Sequence, residues 1–218
     1  MFVLINLTNK SLVFIVAAAI MLTGLIFYMA SRFNSSVPEA LSDISIHSPR
    51  VIQTYKLIDH KKEELTQDRF TGHWSFVFFG FTSCPDVCPA TLMQLAQLHK
   101  AIAKDQQLNI KPMFFFVSVD PERDGHEHLA EYVRYFDSSF IGVTGNISDI
   151  EKFEKQFDAY HRYDKSNSSG FYMVQHSAEV FLINPDGKLI AKFAPPMDIG
   201  LVLNQINLIV NQYNNATV

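Results

Sequence analysis

The chain has 218 residues, 18 Lys and Arg against 22 Asp and Glu, a formal net charge of −4 and 48% hydrophobic residues. A slightly acidic chain with no basic stripe lacks the clustered Lys and Arg that hold a nucleic-acid backbone. Its mean hydropathy of +0.06 is high for a globular chain, and one segment accounts for it.

That segment is Leu12 to Ala30, nineteen residues without a charge. A helix needs about 20 apolar residues to cross the hydrocarbon core of a bilayer. The apolar core of a cleaved signal is about 7–15 residues and ends in a small-x-small site. The length of this run, and Tyr28-Met29-Ala30 at its end, favour an uncleaved transmembrane anchor over residues 12–30. Residues 1–11 then form a short N-terminus carrying Lys10, which the positive-inside tendency puts in the cytoplasm. No Arg-rich, acid-poor leader precedes the anchor. The expected setting is therefore a bacterial inner membrane, single-pass, with the body in the periplasm. Residues 31–49 are rich in Ser, with Pro38 and Pro49, and read as a tether. Residues 50–218 suit one domain.

Within that domain, strand-like and helix-like segments alternate. Val51–Leu57 reads as a leading strand. Trp74–Phe81 is a continuous apolar run, as in a strand buried on both faces. Ala90–Lys104 carries Leu92, Leu95 and Ile102 at helical spacing. Lys111–Val119, with Met113-Phe-Phe-Phe-Val, reads as a second buried strand. His126–Phe136 reads as a helix, Phe140–Val143 as a short strand, and Asp149–Tyr160 as a helix capped by Ser148. Ala178–Ile183 and Leu189–Phe193 form a hairpin across Asn184-Pro-Asp-Gly187, a strong turn signal. Met197–Val210 closes with a helix. The order β-β-α-β-α-β-α-β-β-α predicts an α/β fold with a central mixed sheet flanked by helices, laid out like thioredoxin.

The only two cysteines sit four residues apart in Phe-Gly-Phe-Thr-Ser-Cys84-Pro-Asp-Val-Cys88-Pro, between a buried strand and a helix. Soft thiolates favour Cu(I), zinc or iron–sulfur centres, and a close thiol pair can also cycle through a disulfide. Pro89 lacks an N–H and fits the first helical turn. A helix starting near Val87 makes Asp86 the N-cap and puts Cys88 in the first turn, where the helix end favours thiolate. Two buried cysteines acting as small hydrophobes would explain neither the pairing nor Pro85 and Pro89.

The stretch Phe79–Leu92 resembles the signature of the Sco/SenC family. Val117-Ser-Val-Asp-Pro-Glu-Arg-Asp124, Tyr172-Met-Val-Gln-His-Ser177 and Phe181-Leu-Ile-Asn-Pro-Asp-Gly187 resemble further family blocks in the same order. The resemblance implies a membrane-anchored, thioredoxin-like copper-binding protein, a metallochaperone rather than an enzyme, that assists assembly of the CuA centre of cytochrome c oxidase. It implies Cys84, Cys88 and His176 as copper ligands. It implies the CuA-bearing subunit as partner, with other copper chaperones or thiol reductants beside it. The second function class is a thiol-disulfide oxidoreductase that reduces the cysteines of that centre, with Cys84 and Cys88 as the redox pair. Two thiolates and an imidazole suit copper in either oxidation state. His176 is expected on a loop just before a strand.

The other seven histidines carry no ligand pattern. His126 and His128 stand at i,i+2 on a helix and do not face each other; they read as solvated. Gln175 stands where family members commonly place Asp beside the histidine, so it supplies a hydrogen bond without charge to whatever it touches. Asp120 and Asp124 read either as supports of the metal loop or as parts of a capped turn. The Pro-x-x-x-Thr-x-x-Cys loop of a peroxiredoxin, a phosphate-cradling loop and a hydrolytic triad are absent from the sequence.

Overall fold

The structure, a computed structural model, describes residues 9–33, 39–164 and 172–216. The chain divides into two units, Met1–Ser42 and Asp43–Val218. The first contains helix α1 (Asn9–Phe33, 25 residues). Its side chains are described from 14 to 28 and all are exposed, Phe14, Met21 and Phe27 by three-quarters or more. Among the described residues, no helix is long and apolar enough to cross a membrane. The anchor expected over 12–30 lies partly outside the described side chains.

The second unit runs β1 (Ser45–Val51), β2 (Leu57–Asp59), β3 (Ser75–Gly80), α2 (Val87–Lys104), β4 (Met113–Ser118), α3 (His126–Phe136), β5 (Ile141–Gly145) and α4 (Ile147–Lys155). It continues with β6 (His161–Asp164), β7 (Met173–His176), β8 (Val180–Ile183), β9 (Lys188–Phe193) and α5 (Ile199–Ala216). Seven strands form one mixed sheet in the order β1-β9-β8-β3-β4-β5-β2. The β3–β4 and β4–β5 pairs are parallel; the others are antiparallel. All six residues of β3 are buried, as its unbroken apolar run requires. Phe76 pairs with Phe114 in register and stacks on it at 4.9 Å. Helix α2 packs on α5 and α3, while Phe153 of α4 meets Phe70 and Phe79. At the β8–β9 turn, Asn184 Oδ1 accepts from the N–H groups of Asp186 and Lys188, and Gly187 adopts φ +73°. That conformation strains any residue with a Cβ.

Three expectations are corrected here. Ser45–Pro49, read as tether, is the first part of β1; Pro49 is tolerated because β1 is an edge strand. Val51–Leu57 is not one strand but the junction of β1 and β2, which lie at opposite edges of the sheet. Helix α4 starts two residues earlier than expected, with Asn146 and not Ser148 at its N-cap. A separate two-stranded sheet, β6–β7, was not foreseen.

Candidate metal centre

Parallel strands β3 and β4 end side by side, and the loops leaving their C-terminal ends build the site. This is where ligands gather in open α/β sheets. After β3 the chain turns at Thr82. The buried Asp124 carboxylate accepts from the Thr82 N–H at 2.9 Å, the Thr82 hydroxyl at 2.5 Å and the Ser118 hydroxyl at 2.6 Å. One side chain therefore ties the cysteine loop to the end of β4. The Cys84 N–H then donates to Phe81 O at 3.2 Å, tightening the loop before the helix.

Helix α2 starts at Val87 as its sequence predicts, and Asp86 holds the N-cap position, but its side chain makes no capping bond. The Cys88 N–H is met instead by Cys84 Sγ at 3.4 Å. The sulfur takes the place of a capping oxygen, so the helix end itself favours a thiolate at Cys84. Cys88 is fully buried, and Gly80 makes its space. A Cβ at position 80 would lie 2.7 Å from Cys88 Sγ and 2.7 Å from Phe116 Cε2.

His176 arrives from the other side, 88 residues beyond Cys88. It is the last residue of β7, not a loop residue, and it stands opposite His161 of β6. Its Nδ1–H donates to Ser177 O at 2.8 Å, which leaves the Nε2 lone pair free to face Cys88 Sγ at 3.3 Å. The rings of Phe78 and Phe81 approach it edge-on at 6.1 and 5.9 Å. Cys84 Sγ, Cys88 Sγ and a ring nitrogen of His176 all lie within 4.8 Å of one another. They form the only such group of three among the described residues.

The two thiols titrate as a pair with opposite tendencies. A hydrogen bond from Cys88 stabilises the Cys84 thiolate and holds its pKa far below the ordinary thiol range, at about 3. Burial opposes this, while His176 and two backbone N–H groups assist. The Cys88 thiol is pushed up by its bond to Cys84, by burial and by the Cys84 charge. Both cysteines are free, Cys84 half-exposed and Cys88 buried.

The donor set narrows the choice of metal. An iron–sulfur cluster takes four cysteines or two with two histidines, and structural zinc takes four ligands, while zinc with an open fourth position accepts the same two cysteines and one histidine. Two sulfurs and one imidazole, with the imidazole tautomer already set, fit copper.

Gln175 does not touch the imidazole. It points to the opposite face of the hairpin, where its Oε1 accepts from Arg162 at 2.9 Å; the group orienting His176 is the Ser177 carbonyl. Asp120 is buried and binds Arg123 and, at 2.7 Å, the Tyr172 hydroxyl. His126 is half-buried and donates to Asp59 O at 3.1 Å, so it ties α3 to β2; His128 is exposed, as expected. His99 pairs with Asp137, and His60 accepts from the Gly142 N–H. His161 forms a buried pair with Glu154 at 2.6 Å. The side chain of His47 lies outside the described ones. Sequence reasoning missed Arg123, Glu154 and His161; the pairing of a buried Glu with a His at i+7 has no local signal.

Residues 45–211 match the family model SCO1/SenC. The chain belongs to the SCO1/SenC family. An SCO2-like protein of Rickettsia typhi is 31% identical over 192 residues, covering 85% of this chain and 91% of the relative. The mitochondrial SCO2 homolog of Danio rerio is 36% identical over 137 residues, and the match spans 62% of this chain and about half (48%) of that protein. Among solved structures, Arabidopsis thaliana ScoI with copper bound superposes with a TM-score of 0.69 at 28% identity, over 75% of this chain and 100% of that one. The α/β fold with its central mixed sheet is the thioredoxin-like fold of these Sco structures.

Proposed function

We propose that this chain is a membrane-anchored copper-binding protein that assists assembly of the CuA centre of cytochrome c oxidase, holding copper through Cys84, Cys88 and His176. The observation that carries this reading is the convergence of two sulfurs and one imidazole nitrogen within 4.8 Å, from segments 88 residues apart. A thiol exchanger needs two sulfurs, to which an imidazole adds only activation; a copper site needs the imidazole as its third donor. The likeness to copper-bound ScoI supports the same reading. Cys84, half-exposed, is the ligand that an acceptor reaches first, with buried Cys88 behind it.

The exposed apolar side chains of 14–28 support an anchor over 12–30, since water is a poor neighbour for such a surface. The partner is then the CuA-bearing subunit, in the periplasm of a bacterium, with other copper chaperones or thiol reductants supplying metal or electrons. The test is metal analysis and absorption spectroscopy of the reduced full-length chain with Cu(I) and Cu(II), followed by incubation with the copper-free CuA-bearing subunit. Stoichiometric copper that moves to the subunit supports the reading; a chain that takes up no copper overturns it.

A second reading rests on the half-exposed, low-pKa Cys84 beside Cys88. The Cys84 thiolate attacks a target disulfide, one target sulfur leaves as thiolate, and Cys88 resolves the mixed disulfide. The pair is oxidised and the target gains two thiols. Reduction of the subunit's disulfide by the copper-free, reduced chain tests it.

A further inference from the structure

We propose that Arg123 is the positioning residue of the third metal ligand, the side chain that holds the His176 arm against the cysteine arm. This rests on the copper reading above.

The need for such a residue follows from the fold. Both cysteines are fixed by the main sheet and α2, but His176 ends a hairpin that belongs to a separate two-stranded sheet. An isolated two-stranded hairpin is marginally stable at best. The position of the imidazole is therefore set by what grips the hairpin.

Its base is held by the Ser177 N–H on Tyr160 O, by the Tyr160 N–H on Ser177 Oγ and by the Glu154–His161 pair. Its other end is held by the turn after β4. The Tyr163 hydroxyl donates to Val119 O at 2.7 Å, and the Tyr172 hydroxyl to Asp120 Oδ1 at 2.7 Å. Arg123 bridges the two arms. Its Nε donates to Asp120, its Nη1 to Tyr172 O at 3.1 Å, and its guanidinium lies 3.9 Å from the centre of the Tyr172 ring. The same guanidinium is 5.5 Å from the ring of Phe81, three residues before Cys84. Nη2 is buried without a hydrogen-bond partner. The side chain is thus placed by its reach between the arms and not by saturation of its donors.

Chemistry makes this specific to arginine. A lysine keeps the charge beside Asp120 but is a point donor. It cannot pair with Asp120, donate to the Tyr172 carbonyl and lie flat on the Tyr172 ring at once. Arg123→Lys therefore preserves charge and removes the clamp, leaving the two sulfurs where they are.

The experiment uses the full-length chain in detergent, in wild-type, Arg123→Lys, Tyr172→Phe and His176→Ala forms. Three quantities are read: copper affinity, the imidazole nitrogen coupling in the Cu(II) paramagnetic spectrum, and the reduction potential of the Cys84–Cys88 pair without metal. Arg123→Lys is expected to lose about 10–100-fold in affinity, as supporting residues of metal ligands do. It is expected to lose the nitrogen coupling, like His176→Ala, and to shift the potential no further than His176→Ala does. Tyr172→Phe gives up one hairpin bond but retains the ring and the carbonyl that Arg123 grips, and is expected to lose clearly less than Arg123→Lys. Wild-type affinity and nitrogen coupling in Arg123→Lys overturn the proposal. So does an affinity loss with a potential shifted beyond that of His176→Ala, which marks general loosening, or an equal loss in Tyr172→Phe. If wild type and His176→Ala do not differ, the copper role of His176 falls instead, whatever Arg123 does.

Discussion

Gly80→Ala is the smallest change that tests whether Cys88 has one permitted place. The added methyl would lie 2.7 Å from Cys88 Sγ and 2.7 Å from Phe116 Cε2. Ordinary contact needs about 3.5–4.0 Å, so both neighbours must give by about 1 Å or the backbone at position 80 must shift. Phe116 is 1% exposed and packed in the core with its ring tilted against Phe78 at 6.0 Å and Tyr132 at 5.4 Å, which leaves it little room. The sulfur is the softer neighbour, and its retreat breaks the 3.3 Å approach to His176 Nε2. Overpacking of this kind costs about 1–3 kcal/mol. For a domain of this size that lowers Tm by about 2–12 °C. The assay is thermal unfolding of the reduced chain together with copper titration. The expected outcome is a lower Tm and weakened copper binding. A variant with the wild-type Tm and wild-type copper affinity would refute the claim that Gly80 exists to seat the sulfur.

Alkylation of the reduced chain should label Cys84 and spare Cys88, with a rate that stays high well below the ordinary thiol pKa; equal labelling of the two would contradict the split between them. The depressed Cys84 pKa contributes stability that is lost as pH falls toward about 3, while the raised Cys88 pKa removes stability as pH rises above the ordinary thiol value. At His161, burial disfavours the charge, but the Glu154 hydrogen bond and charge outweigh it and raise the pKa. That stability is present below the unfolded value of about 6.5 and is lost as pH rises through the folded one. Glu154→Gln should therefore destabilise the fold more at pH 5.5 than at pH 8.5, by up to about 3–5 kcal/mol for a broken buried pair; an effect independent of pH in denaturant unfolding argues against a charged pair. Asp124→Asn should cost about 1.5–3 kcal/mol, since an amide accepts fewer of the three donors from Thr82 and Ser118. An unchanged Tm would show that the loop is not tied there.

Much of this was readable in the chain itself, and the reasons differ by element. The runs at 74–81 and 111–119 gave strands because burial on both faces leaves no polar residue to confuse the pattern. Helix α3 fell at His126–Phe136 as expected, because Leu129 and Val133 face the core at i,i+4 spacing. The hairpin of β8 and β9 followed from its Asn-Pro-Asp-Gly turn. By contrast, β6 and β7 are four residues each and half-exposed, so their alternation is too short to stand out from a loop. That is why His176 was expected before a strand and not at the end of one. Strand β1 was hidden by Ser45, Ser48 and Pro49, which only an edge position tolerates. The cysteine pair was legible from spacing alone. The grip of Arg123 on the hairpin was not, because it depends on two loops meeting across the end of the sheet, 49 residues apart in sequence.

The most direct measurement is a copper titration of the reduced full-length chain beside its His176→Ala variant, read by affinity and by the imidazole signal of the bound metal. One copper per chain is expected in wild type, and in the variant an affinity loss exceeding the about 10–100-fold that a mere supporting residue costs, with the Cys84–Cys88 pair still able to oxidise. Equal stoichiometry and equal affinity in the two proteins would contradict a site built from two sulfurs and a distant imidazole.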